Sequence, residues 1–117
     1  MNLDNAAAAH ALWKTKLRAA IAKHEQLDVV SLSRDDRCEL GQWLHGEGKS
    51  SYGRLASLGD CMHKHLEFHS EVTKVARVVN AGQYGQAEAL LSAGSGFAKA
   101  SSALSVAFLK LRKEAGV

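Results

Sequence analysis

The chain has 117 residues, 46% hydrophobic and 23% charged, with 15 Lys and Arg against 12 Asp and Glu. That length suits one domain around a single core, too short for a catalytic domain joined to a regulatory one, and the composition argues against disorder. The formal charge of +3 is spread along the chain; the one small basic cluster, Lys110, Arg112 and Lys113, suits the last turn of a helix and argues against a nucleic-acid partner.

No apolar run approaches the ~20 residues of a membrane span, and the start lacks the basic flank and apolar core of a signal peptide. A cytoplasmic protein without membrane insertion is expected. Cys38 and Cys61 suit metal ligation or redox chemistry in a reducing compartment better than a disulfide framework.

With no proline and abundant alanine and leucine, helix is favoured throughout and glycine does most of the punctuation. A first helix is predicted over residues 3–27, where His10, Trp13, Leu17, Ile21 and His24 recur on one face. A short second helix begins after Ser33, whose hydroxyl forms a capping-box pattern with Asp36, and it carries Cys38, Leu40, Trp43 and Leu44 before ending near Gly46 and Gly48.

The third helix, residues 51–80, places Leu55, Leu58, Met62, His65, His69, Val72, Ala76 and Val79 at steps of three and four. Both histidines fall in register with the core. The fourth, residues 84–114, sets Leu90, Phe97, Leu104, Phe108 and Leu111 on one face, with a soft point at Gly94 and Gly96, where each interior glycine costs about 1 kcal/mol against alanine. Long amphipathic helices with short links predict an all-α antiparallel four-helix bundle, with a short or irregular helix carrying a cysteine.

Residues 63–69, His-Lys-His-Leu-Glu-Phe-His, put His65 and His69 one turn apart on the apolar face. Burying imidazoles without partners is costly, and a shared cation repays the cost; zinc takes nitrogen and sulfur ligands in a tetrahedron that facing helices can build. The spacing leaves the remaining ligands open: Cys38 and Cys61 both qualify, and His10, His24, His45 and His63 are available.

Cys38-Glu-Leu-Gly-Gln-Trp43 resembles the Cys-x-[Leu/Phe]-Gly-x-Trp signature of the chemoreceptor zinc-binding domain family. His65-x3-His69 follows at that family's distance, and His10-Ala-Leu-Trp13 resembles its first histidine and tryptophan. The resemblance implies a three-histidine, one-cysteine Zn2+ site at His10, Cys38, His65 and His69. It further implies a four-helix bundle, often a homodimer, in a bacterial cytoplasmic protein that controls chemotaxis or cyclic-di-GMP signalling. Residues 1–117 are then a single zinc-binding regulatory domain, a stand-alone member or an excised module, read by a chemoreceptor or diguanylate cyclase output domain or by a separate signalling partner.

Around such a site, Gly41 is expected to allow close helix approach. Trp13, Trp43 and Phe68 are expected to exclude water and Cys61 to be a small buried hydrophobe; His24, His45 and His63 are expected to be solvated or interfacial, with a hydrogen bond to a ligand the alternative for His63. A zinc closed by four protein ligands leaves no place for a reactive water, and no nucleophile–base pair or phosphate-cradling loop is evident, so no enzyme is expected. The expected output is control by zinc occupancy, with oxidation of Cys38, by hypochlorous acid in particular, as a second input that the resemblance suggests. The alternative is a zinc-stabilised dimerisation or protein-interaction module.

Overall fold

The computed structural model describes residues 3–36 and 38–117, which form helices and connecting turns with no strand among them. Helices α1 (Leu3–Ala11) and α2 (Trp13–Lys23) make one rod. Leu12 between them keeps helical angles, its N–H reaching the Ala8 carbonyl at 3.2 Å and its carbonyl accepting from Lys16 at 3.0 Å. The rod stops short of the expected residue 27 because His24 turns left-handed, at φ 54°. The His24 and Glu25 N–H groups then bond back to the Ile21 and Ala20 carbonyls, closing the helix end. A non-glycine residue in this conformation needs support, and the His24 ring lies flat on Tyr84, with centroids 3.8 Å apart.

The chain next forms a helix that periodicity did not predict, α3 (Val29–Ser33), with no buried side chain. Its start is fixed by Asp28, which accepts from the Ser31 N–H at 3.2 Å and the Ser31 hydroxyl at 2.8 Å. Ser33, expected to cap the following helix, instead closes this one, its hydroxyl donating to the Val30 carbonyl at 2.8 Å. The cap of α4 (Glu39–Trp43) is Cys38, whose sulfur accepts from the Gly41 N–H at 3.3 Å.

The second rod does not end at Gly46–Gly48. A π-helical turn (Leu44–Gly48), in which Lys49 N–H reaches the Leu44 carbonyl, carries α4 into α5 (Lys49–Tyr52). The third rod is α6 (Ala56–Asn80). Beyond it the expected single helix is two, α7 (Tyr84–Leu90) and α8 (Gly96–Ala115). They separate where Gly94 takes φ +82° and Ser95 caps α8 by accepting from the Ala98 N–H at 3.2 Å.

The rods alternate in direction. Asp4 at the start of α1 pairs with Arg112 near the end of α8 at 2.6 Å, whereas Arg18, further along the first rod, pairs with Glu88 beyond the end of α6 at 2.8 Å. Gly41 meets His65, while Tyr52 leads into the start of α6, so the second rod runs against the third. The result is an all-α antiparallel bundle whose irregular second rod carries Cys38 at its tip. Its core joins Leu17, Leu40, Leu44, Leu58, Phe68, Val72, Val79, Leu104, Phe108 and Leu111. His65 and His69 interrupt this apolar interior at 0% and 3% exposure.

Candidate metal centre

Two histidines buried in an apolar helix face must find polar company, and three elements supply it. His10 enters from α1, Cys38 from the cap of α4, and His65 and His69 from successive turns of α6. One potential ligand atom from each lies within 4.8 Å of all the others, and this is the one such group of three or more among the described residues.

The contacts converge on His65. Its Nε2 stands 3.1 Å from His10 Nε2, 3.1 Å from His69 Nε2 and 3.1 Å from Cys38 Sγ. Cys38 Sγ lies 3.7 Å from His10 Nε2 and 3.6 Å from His69 Nε2. Zinc bonds of ~2.0–2.1 Å to nitrogen and ~2.3 Å to sulfur give tetrahedron edges of about 3.3–3.6 Å. These five separations, 3.1–3.7 Å, lie close to those edges, and the nitrogen and sulfur donors suit zinc.

Ring orientation is settled from outside the cluster. His10 Nδ1 donates to the Ala6 carbonyl at 3.0 Å and His69 Nδ1 to the Leu32 carbonyl at 3.0 Å. A carbonyl only accepts, so both rings carry their proton on Nδ1 and turn an Nε2 lone pair inward, the tautomer a metal requires. His65 has no such anchor: its buried Nδ1 lacks a hydrogen-bond partner among the described residues. Asp35 Oδ2 lies 3.9 Å from it, and the same oxygen is 3.2 Å from His45 Nε2.

Burial favours the neutral forms of His10, His65 and Cys38. Desolvation, aided by His69 and His10, drives the His65 pKa down to about 3, and desolvation also lowers that of His10 against the pull of the Ala6 carbonyl. It raises the Cys38 thiol, although the Gly41 N–H works the other way. A cation placed here meets ready imidazole lone pairs and one thiol that must surrender its proton.

The expected close approach at Gly41 is present. A Cβ on Gly41 would overlap the Asp35 carbonyl oxygen and stand 3.1 Å from His65 Cε1. Phe68 is fully buried beside the cluster, its ring 5.5 Å from that of His10 and 5.9 Å from that of His69. Trp43 is buried in the core, with its ring 6.0 Å from that of Tyr52. Trp13 lines a cleft of about 250 Å³ with Leu32 and Arg34 that reaches Cys38 and His69 from outside.

The remaining candidates fall elsewhere. Cys61 is fully buried in the core, its thiol pushed up to about 12 by desolvation. His24 stacks on Tyr84, and His63 lies on the surface as expected, paired with Glu67 at 2.7 Å. The residue that approaches a ligand is Asp35, which sequence reading missed; its only signal was an acidic side chain three residues before Cys38.

The family model of the chemoreceptor zinc-binding domain matches residues 10–76, a span that begins at His10 and takes in Cys38, His65 and His69. No curated protein and no solved structure matches the chain significantly.

Proposed function

Because the chain belongs to the chemoreceptor zinc-binding domain family, we propose that His10, Cys38, His65 and His69 hold one Zn2+ and that its occupancy is the signal this domain transmits. The observation that carries this reading is the convergence of the four ligand atoms within 4.8 Å, with two of the imidazoles already turned inward by backbone carbonyls. The ion supplies the positive charge that balances a buried thiolate and the converging lone pairs. Four protein ligands leave no place for a reactive water, which favours a sensory role over hydrolysis.

The protein's part is to couple the site to a segment able to move. The stretch from Asp28 to Asp36 includes α3, which fully buries no side chain, and Cys38 lies just beyond it. It is held to α6 through the Leu32 carbonyl on His69 and through Cys38 against His65. Its packing on α6 is shallow, with Leu32 only partly buried against the core, and shallow burial marks a locally weak unit. Loss of a ligand releases this segment and the tip of the second rod while the α6–α8 core, centred on Phe68, Phe97 and Leu104, stays packed. Zinc shifts this balance to the extent that it binds the closed arrangement more tightly.

Residues 1–117 act as a single regulatory domain on this reading. The family match ends at Ala76, but Phe97 of α8 packs on Phe68 with ring centroids 5.6 Å apart, so the last helix completes the core around the site. We place the domain in the bacterial cytoplasm as a homodimer, read by a chemoreceptor, a diguanylate cyclase or a separate signalling partner. The homodimer is supported by Val106 and Leu109, both exposed on α8. No helix among the described residues is long and apolar enough to cross a membrane.

A second input is favoured by the cleft that reaches Cys38. Hypochlorous acid arriving there converts the thiolate to a sulfenic acid, with chloride leaving, and so removes a ligand.

Hydrogen exchange with and without zinc tests the sensory reading. Protection of residues 28–36 and of Cys38 is expected to rise on zinc binding while that of the α6–α8 core changes little. Equal exchange in the two states rejects the switch, and global unfolding on zinc removal favours a purely structural zinc in a dimerisation module.

A further inference from the structure

His65 occupies the centre of the cluster, yet it is the one histidine there whose outer ring nitrogen is unanchored. His10 and His69 each give Nδ1–H to a backbone carbonyl at 3.0 Å. The His65 Nδ1 is buried and without a hydrogen-bond partner among the described residues. A neutral imidazole that offers Nε2 to a metal carries its proton on Nδ1, and a buried N–H without an acceptor costs about 1–3 kcal/mol. The central ligand thus pays a penalty that its two neighbours avoid.

One acceptor is in position. Asp35 Oδ2 lies 3.9 Å from His65 Nδ1, too far for a hydrogen bond but within a small side-chain adjustment of one. The residue is held from two sides, at its backbone and at its carboxylate. Its own backbone carbonyl rests against Gly41, where no side chain fits between, and His45 Nε2 stands 3.2 Å from the same Oδ2. Asp35 is therefore fixed at the base of the ligand loop, with His45 outside it and His65 inside.

Resting on the zinc reading above, we propose that Asp35 is the positioning residue of the site: its carboxylate accepts the Nδ1–H of His65 when the metal is held, and His45 braces the carboxylate from the surface. Asp35 then fixes the tautomer of His65 and raises its donor strength, as the Ala6 and Leu32 carbonyls do for the other two rings, but with a full negative charge. The role extends the site outward to His45, a half-exposed residue of the π-helical turn. Removal of such an outer partner lowers metal affinity about 10–100-fold.

The test uses the full chain and its Asp35→Ala, Asp35→Asn and His45→Ala variants, with circular dichroism confirming that each remains helical. Zinc affinity is measured by competition with a chromophoric chelator, and the His65 Nδ1–H resonance is followed by 15N-edited NMR in the zinc-loaded protein. Asp35→Ala is expected to lose about 10–100-fold in affinity while still binding one zinc, with the His65 resonance shifted or lost to solvent exchange. Asp35→Asn, which keeps an acceptor oxygen without the charge, recovers part of the loss, and His45→Ala costs less than Asp35→Ala. Wild-type affinity in Asp35→Ala, or a loss of affinity with the His65 resonance unmoved, overturns the assignment. A wild-type chain that takes up no zinc overturns it together with the reading on which it rests, whereas the first two outcomes leave that reading standing.

Discussion

Cys38 Sγ stands 3.1 Å from His65 Nε2 while accepting the Gly41 N–H at 3.3 Å. One sulfur thus both caps the second rod and touches the centre of the cluster. Local helix geometry and the candidate metal centre are the same feature at this point, so a change at either is felt at the other.

Gly41→Ala tests that coupling. The added methyl overlaps the Asp35 carbonyl oxygen and presses on His65, and overpacking of this kind costs about 1–3 kcal/mol. Urea unfolding should show a lower midpoint, and zinc affinity should fall with it because Asp35 and His65 are displaced. Unchanged stability and affinity would show that the site accommodates a side chain freely.

Zinc binding at pH 7.5 should release about one proton per ion, from Cys38. His10 and His65 are held neutral by burial and have no proton to give, whereas burial keeps the Cys38 thiol protonated. Calorimetry in two buffers of different ionisation enthalpy counts the protons. Two or more released would contradict the neutral imidazoles, and none would mean that Cys38 is already a thiolate.

The zinc-free chain should lose stability in acid. Burial holds His65 at about 3 in the folded protein against an ordinary value of 6.5, so below pH 6.5 the unfolded chain binds a proton that the folded chain refuses. The stability is fully present above 6.5 and is lost progressively as pH falls toward about 3. Urea midpoints at pH 7.5 and pH 5 should differ in that direction, and His65→Gln should reduce the difference. A pH-independent midpoint would contradict the burial argument.

Phe68→Ala should destabilise the zinc-free chain by about 3–5 kcal/mol. The ring is fully buried and touches His10, His69 and Phe97, so its removal leaves a cavity between the core and the cluster. The change should appear in the urea midpoint with little change in slope. A cost under about 1 kcal/mol would mean that the core collapses to fill the space.

Legibility in the sequence followed the strength of periodicity. The α6 stripe from Leu58 to Val79 gave the third rod and set His65 and His69 inward, and the resemblance around Cys38 and His10 picked out the four residues that the fold brings together. What escaped had no period to read. Five residues with no buried side chain gave no signal for α3. Ser33 was the more conventional cap, yet the cap is Cys38, a choice made by tertiary packing. The first helix ended at His24 because a ring stacked on Tyr84 supports a left-handed residue where glycine would be usual. Asp35 lies on a turn between short elements, where its approach to His65 depends on the fold alone.

The central claim is that these four residues hold one zinc ion. The most direct measurement is elemental analysis of the full chain purified without added metal, beside His65→Ala and Cys38→Ala. About one zinc per chain in the wild type and little in either variant is the predicted result. A wild type that is metal-free and fails to take up added zinc, or variants that retain the metal in full, would contradict it.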